Sequence, residues 1–422
     1  MIFALNVSAF LYFAFDFTRQ YLSHETVSIE RVERPITIDR PAITFCNANR
    51  RRRRYVCNIY PHKCVFFNSE EEVCSRYPRY CNYLNMYKGV YTGNPVCQDD
   101  DCYTWWETVS LFEEFIINSI DNNYKHSTSD KIYTKVPFTD NEGEASICFS
   151  YGLKYPIEYS KVNRTIFNKK LKKGAFWNKE NKIETWNDII FLLQIEIDDY
   201  LDPVETPSVY FAIHDSTRLV NPFKYGIKLG VPRSHLIQVN YYIEQQLLPY
   251  PYDTNCQLLN PEGNTDETFD LTECIESCKF NLHMKQYGCA ARSISISHMV
   301  KLCKKDEKVS KENQEICFKK CNVSPCVSRM YKYKHMENVI KAYGSSEEFR
   351  NNTNEYLYNQ LSLVSVSFRN MRARYTKFAP KMVPIDLFSN IGGFLGIWIG
   401  SSVISISDLL YRLSDYLLNR AA

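Results

Sequence analysis

Twenty-one consecutive residues, Leu387 to Ser407, carry no charge. A helix of that length crosses a hydrocarbon core of ~30 Å. The run is not plain lipid-facing apolar sequence, because Gly392, Gly393, Gly396, Gly400 and several serines interrupt it. Small residues let helices approach closely in lipid. Broken backbone at that depth is tolerated only where protein or a water-filled cavity covers it. An acid, Asp408, follows immediately, and an ionisable group at the edge of a span marks a functional position. The run therefore reads either as a packing face or as the wall of a pore, and the acid favours the pore.

The rest of the chain belongs outside the cytosol. Sixteen cysteines in 422 residues, in clustered spacings, indicate disulfides and an oxidising compartment. Sequons at Asn163, Asn322 and Asn351 agree, while the one at Asn6 lies in an apolar run. Net charge is +3 and no basic domain stands out, so nucleic acid is not an expected partner. The isolated run Arg50 to Arg54 is expected to be an exposed turn, open to trypsin-like proteases.

Met1 to Phe15 is uncharged and mostly apolar. It lacks the basic start and small-x-small cleavage site of a signal peptide. It is expected to be the outer part of a first transmembrane helix whose beginning is missing. The alternative is a cleaved signal peptide ahead of a single-span, disulfide-rich cell-surface receptor.

Between the end segments, Ile189 to Ile197, Ser208 to His214 and Leu236 to Tyr242 are rich in β-branched and aromatic residues bounded by turn formers, and predict strands. Trp105, Val109, Phe112, Phe115, Ile116 and Ile120 recur at helical spacing and predict a helix over 105–120. Cys57, Cys64, Cys74, Cys81, Cys97 and Cys102 allow 15 pairings, and spacing does not choose among them. The acid clusters Glu70–Glu72 and Asp99–Asp101 read as solvated charge. His24, His62, His214 and His235 titrate near neutrality if unperturbed.

No catalytic signature is present: there is no His-Glu-x-x-His, no Gly-x-Ser-x-Gly and no glycine-rich phosphate loop. Cys274-x3-Cys278 lacks the matching histidine pair of a zinc knuckle. No enzyme activity, cofactor or metal is expected.

Several motifs carry a resemblance. Ser389-Asn-Ile-Gly-Gly393, then Gly400-Ser401-Ser402 and Asp408, resembles the second transmembrane segment of the degenerin, epithelial sodium channel and acid-sensing ion channel family. Arg40-Pro-Ala-Ile-Thr-Phe-Cys-Asn47 is similar to the strand that opens that family's palm, and Ser146 to Tyr151 and Val209 to Asp215 to later palm strands. Leu248-Pro-Tyr-Pro-Tyr-Asp-Thr-Asn-Cys256 is similar to its palm-to-thumb junction.

The resemblance implies an α+β membrane protein, of invertebrate type and truncated at the N-terminus, with two transmembrane helices flanking a β-rich palm and helical finger and thumb. Residues 1–17 would be the first helix and 18–383 the ectodomain, with a variable finger at about 51–135 and a thumb at about 256–326. Residues 384–414 would form the second helix and pore, and 415–422 a short cytoplasmic tail. It implies bridges Cys46–Cys148, Cys256–Cys326, Cys274–Cys321, Cys278–Cys317 and Cys289–Cys303. By position, Gly400, Ser401 and Ser402 would form the selectivity filter and Asp408 and Asp415 pore acids. Ser389 would hold the degenerin position, and Tyr21 and Tyr252 a gating contact. The implied activity is a sodium-selective, amiloride-sensitive channel of the plasma membrane, a homotrimer or heterotrimer with related subunits, gated through the ectodomain by an unknown stimulus. Sodium ions and amiloride-type blockers would be its small partners.

Overall fold

The structure is a computed structural model. It describes residues 2–76, 116–121, 133–153, 182–196, 205–257, 271–304, 307–322, 324–338 and 361–400, with shorter pieces between these and up to residue 414.

Two sheets enclose the core. The larger contains β1 (Thr26–Glu33), β6 (Ile116–Asp121), β12 (Asp188–Gln194), β15 (Ser234–Gln246), β16 (Val327–Asn338), β17 (Leu361–Ser367) and β18 (Arg372–Pro380), in the order β1-β18-β15-β17-β12-β6. The second contains β3 (Pro41–Asn47), β7 (Tyr133–Thr139), β8 (Ala145–Tyr151), β13 (Ser208–Asp215) and β14 (Ile227–Gly230), in the order β14-β13-β3-β8-β7. Among the described residues three two-stranded pairs complete the strands: β2 (Thr37–Asp39) with β11 (Lys182–Glu184), β4 (Cys64–Val65) with β5 (Val90–Tyr91), and β9 (Ile157–Tyr159) with β10 (Lys169–Leu171).

Burial follows the pleat. Alternate residues of β12 and most of β15 are buried, as period-two side-chain alternation requires of a sheet covered on one face. β3 and β8 are buried along their whole length, on both faces. Phe45 of β3 sits between the sheets, edge-on to Phe191 at 5.0 Å and to Phe211 at 5.4 Å. Each fully buried aromatic contributes roughly 1.5–3 kcal/mol by leaving water.

β15 is the longest of the described strands and holds three neighbours. β16 runs antiparallel along one edge. On the other edge β17 pairs with Ser234–Gln238 and β18 with Tyr241–Gln246, both parallel. The chain between β15 and β16 is the segment expected to form the thumb. Its helices, α5 (Leu271–Tyr287) and α6 (Lys311–Lys320), are joined by Cys274–Cys321 and Cys278–Cys317. A step of one turn along α5 meets a step of one turn back along α6, so the helices are antiparallel. Cys256–Cys326 closes the thumb at its base, Cys289–Cys303 ties its far loop, and Cys46–Cys148 joins β3 to β8. Such bridges each remove loop entropy from the unfolded chain, typically ~2–4 kcal/mol.

Among the finger cysteines, Cys57 pairs with Cys64, a choice that spacing alone left open. Cys74 is also disulfide-bonded, while Cys81, Cys97 and Cys102 lie outside the described residues. Asn322 is exposed just after α6, and Asn163 and Asn351 lie outside the described residues.

Two expectations fail here. The helix predicted over 105–120 is not formed at its C-terminal end. Ile116–Asp121 is β6, paired with β12, and residues 105–115 lie outside the described residues. Isoleucine-rich sequence beside an open sheet edge takes the ladder, because β-branched residues fit a pleated surface.

The arginine run is not an exposed turn either. Arg51 and Arg53, in and next to α2 (Arg53–Ile59), are almost fully buried. Arg50 is ion-paired to Asp140 and Glu142, and Arg54 to Asp199. Acids distant in sequence converge on the basic run, which spacing along the chain cannot reveal. Limited trypsin digestion of the folded protein is therefore expected to spare the bonds after Arg50 through Arg54 until the protein unfolds. Rapid cleavage there in the native state would contradict this packing.

His214 is the buried end of a polar chain. Its Nδ1–H donates to the Asp215 carbonyl at 2.9 Å, and its Nε2 accepts from Thr44 Oγ1 at 2.8 Å, which meets Ser150 Oγ at 2.8 Å. Burial lowers its pKa to about 4. A histidine whose folded pKa is depressed costs stability on acidification: the unfolded chain takes up the proton near pH 6.5, while the folded one does not until about pH 4. The loss across that window is on the order of 3 kcal/mol. His214→Gln is expected to flatten the fall in unfolding free energy between pH 6.5 and 4.5, measured by denaturant titration. An unchanged slope would show that His214 is not held neutral.

Candidate functional site

The first and last helices lie side by side. α1 (Ile2–Leu22) and α7 (Pro384–Ile399) meet through aromatic rings. Phe13 stacks on Phe394 at 5.0 Å and on Trp398 at 6.1 Å, and Phe17 lies 5.3 Å from Phe394. α7 starts cleanly. Pro384 occupies the first turn, where a missing N–H costs nothing, and Asp386 accepts from the Val383 N–H at 3.0 Å. It stops at Gly400, whose φ of +71° is left-handed, a conformation glycine adopts without a steric penalty.

No helix among the described residues is long and apolar enough to cross a membrane. α1 carries Asp16 and Arg19 within its 21 residues. α7 has 16 residues, a rise of about 24 Å. α1 runs on to Leu22.

Directly beyond these helices the two chain ends are tied together. β1 follows α1, β18 precedes α7, and the two pair antiparallel from Thr26↔Pro380 to Glu33↔Ala373. Lys381 makes an ion pair with Glu25 at 2.6 Å and donates its N–H to the Glu25 carbonyl at 2.9 Å. The thumb-base loop docks on the same spot. Thr26 Oγ1 donates to Asp253 at 2.7 Å, the Thr26 N–H reaches the same carboxylate at 3.4 Å, and the Asp253 N–H donates to the His24 carbonyl at 3.3 Å.

The two tyrosines singled out in the sequence meet through a third ring. His24 lies 6.1 Å from Tyr21 and, edge-on, 5.8 Å from Tyr252. Its own φ is +50°, which turns the chain between α1 and β1. Sequence reasoning named His24 only as a titratable group. Its place between Tyr21 and Tyr252 depends on a backbone conformation that no spacing announces.

The remaining predicted residues spread along the last helical stretch. Ser389 is exposed on α7, and Gly400 is its cap. A Cβ built on Gly392, Gly393 or Gly400 meets nothing within 4 Å in the single chain. Asp408 pairs with Arg412 one helical turn on, at 3.0 Å, with both side chains largely exposed. Ser401, Ser402 and Asp415 lie outside the described residues.

A family model described as the amiloride-sensitive sodium channel matches residues 1–412. The chain belongs to the amiloride-sensitive sodium channel family. It is 23% identical over 244 residues to degenerin del-1 of Caenorhabditis elegans, covering 52% of this chain and 36% of that protein. It is 26% identical over 166 residues to epithelial sodium channel subunit alpha of Pelodiscus sinensis, covering 34% and 25%. The chain thus spans only about a quarter to a third of the length of these relatives. A proton-activated chloride channel solved by cryo-EM aligns over 98% of this chain and 96% of its own, at 6% identity and a TM-score of 0.29. The family is one of ion channels rather than enzymes.

Hydrogen bonds from Thr26 hold the Asp253 carboxyl below the usual carboxylate range. An acid with a depressed folded pKa contributes stability above its unfolded value, ~3.9, and loses it only as pH falls through the lower folded one. The Thr26–Asp253 clamp therefore stays intact in mild acid. Asp253→Asn is expected to raise amide exchange at Thr26 and His24 equally at pH 7.4 and 5.5. An effect confined to the lower pH would contradict this arrangement.

Proposed function

We propose that the chain is a subunit of a trimeric, sodium-selective, amiloride-sensitive cation channel of the plasma membrane, gated through its extracellular domain. The observation that carries this reading is the tied junction. A family-type ectodomain hands its first and last strands, paired to each other, directly to two neighbouring helices, the second of which leads into the uncharged run 387–407. Sodium and amiloride enter from the family's description and sodium also from the name of the epithelial sodium channel relative.

In this reading α1 and the stretch from residue 384 to 414 cross the membrane, and three copies of the latter surround the ion path. Gly400, Ser401 and Ser402 form the narrow band, where carbonyl and hydroxyl oxygens replace part of the ion's water shell. Asp408 and Asp415 concentrate cations on the inner side. The open space around Gly392 and Gly393 leaves room for another chain to approach α7 closely, which supports assembly. The receptor alternative requires cleavage of the segment containing Phe13, which is packed against Phe394 and Trp398.

Ser389 then meets its two copies near the threefold axis when the gate is shut. A bulky residue there clashes in the closed state more than in the open one, and only such a difference shifts the equilibrium. Moving a channel from about 1% to about 99% open takes roughly 5.5 kcal/mol, and three overpacked sites at ~1–3 kcal/mol each supply it. Ser389→Phe is expected to give constitutive amiloride-blocked sodium current in voltage-clamped cells, with Asp408→Asn lowering its unitary conductance. A Ser389→Phe protein that reaches the surface as a trimer and stays silent would sink this assignment.

A further inference from the structure

At the end of β15 farthest from the thumb, three metal-ligand side chains from two strands converge. His235 pairs in register with Glu337, and Ile237 with His335. Residues two apart on a strand share a face, so His235, His335 and Glu337 all point to the same side of the sheet. His235 Nδ1 lies 3.0 Å from His335 Nε2, and the donor atoms of all three fall within 4.8 Å of one another. We propose that His235, His335 and Glu337 form a zinc-binding site.

The hydrogen bonding sets His235 up as a ligand. Its Nε2–H donates to the Gly230 carbonyl at 2.8 Å, which fixes the tautomer and leaves the Nδ1 lone pair facing His335. Ligating histidines commonly anchor their second nitrogen this way. His235 is buried, so the strand pairing and this hydrogen bond hold its ring in place. Zinc holds imidazole nitrogens at about 2.0–2.1 Å, and tetrahedral ligands then stand about 3.3 Å apart. The 3.0 Å pair needs only a small opening to admit the ion.

The carboxylate is equally available. Glu337 is partly exposed, and its ion partner is Arg233 at 3.5 Å, itself 46% exposed, a pairing worth little in water. Gly230 leaves the room: a Cβ there would stand 3.3 Å from Glu337 Oε1. Two imidazoles and one carboxylate suit zinc among the divalent cations, whereas magnesium and calcium favour all-oxygen sites. Three protein donors leave a fourth position for water. The bound ion would staple β15 to β16 at the end opposite the Cys256–Cys326 bridge. This site does not depend on the channel reading.

The test is calorimetric titration of the whole protein in detergent, stripped of metal, with zinc chloride and separately with magnesium chloride. Wild type is expected to bind zinc but not magnesium. In the partly exposed variants His335→Asn and Glu337→Gln, the zinc count should fall by one per chain or that affinity drop at least 10-fold, with unchanged circular dichroism. X-ray absorption of the zinc-loaded protein should show imidazole nitrogens at about 2.0 Å. His235→Asn, at a buried position, risks misfolding, so the two partly exposed positions are the ones to substitute. The proposal is overturned if wild type binds no zinc, or if both variants bind it with wild-type count and affinity.

Discussion

The fold depends on the ladder that pairs β1 with β18. It joins residues near the two ends of the described chain, and the ion pair beside it links groups 356 residues apart in sequence. Closing so long a loop costs only logarithmically more than closing a short one, but the cost comes before any reward. The reward is supplied by β15, which binds β18 along one half and β17 along the other, so the ladder grows from the centre of the larger sheet. Once it is formed, α1 and α7 have little choice of position. Each leaves the same end of the same ladder, and their aromatic faces meet.

Disulfides distribute rigidity unevenly. The thumb helices share two bridges and its base a third. Among the described residues, the loop just before Cys256 touches the segment that follows α1 through Asp253 on Thr26 and Tyr252 on His24.

The palm strands were legible because their residues satisfy local and global demands together. Ser208–Asp215 and Ser234–Gln246 are β-branched and aromatic, and they lie in sheets. The family motifs extended that reading to the membership shown by the match over residues 1–412. What stayed hidden depends on partners remote in sequence. The helical spacing of 105–120 took no account of an open edge on β12. The arginine run looked solvated because Asp140, Glu142 and Asp199 are distant from it in sequence. His235 and His335, 100 residues apart, form no motif, and only the register of β15 on β16 brings them together. His214 and His235 counted as groups near neutrality until burial lowered both.

The direction of the β1–β18 ladder has a mechanical consequence. Both helices attach at its same end, beside Thr26 and Pro380. A force drawing the helices apart sideways therefore loads the hydrogen bonds one pair after another, as in opening a zip, beginning at the Glu25–Lys381 link. A force along the strands from opposite ends would load every rung at once. Antiparallel rungs lie perpendicular to the strands, so the first geometry yields at far lower tension than the second. Lateral tension is the load to which this junction is most compliant.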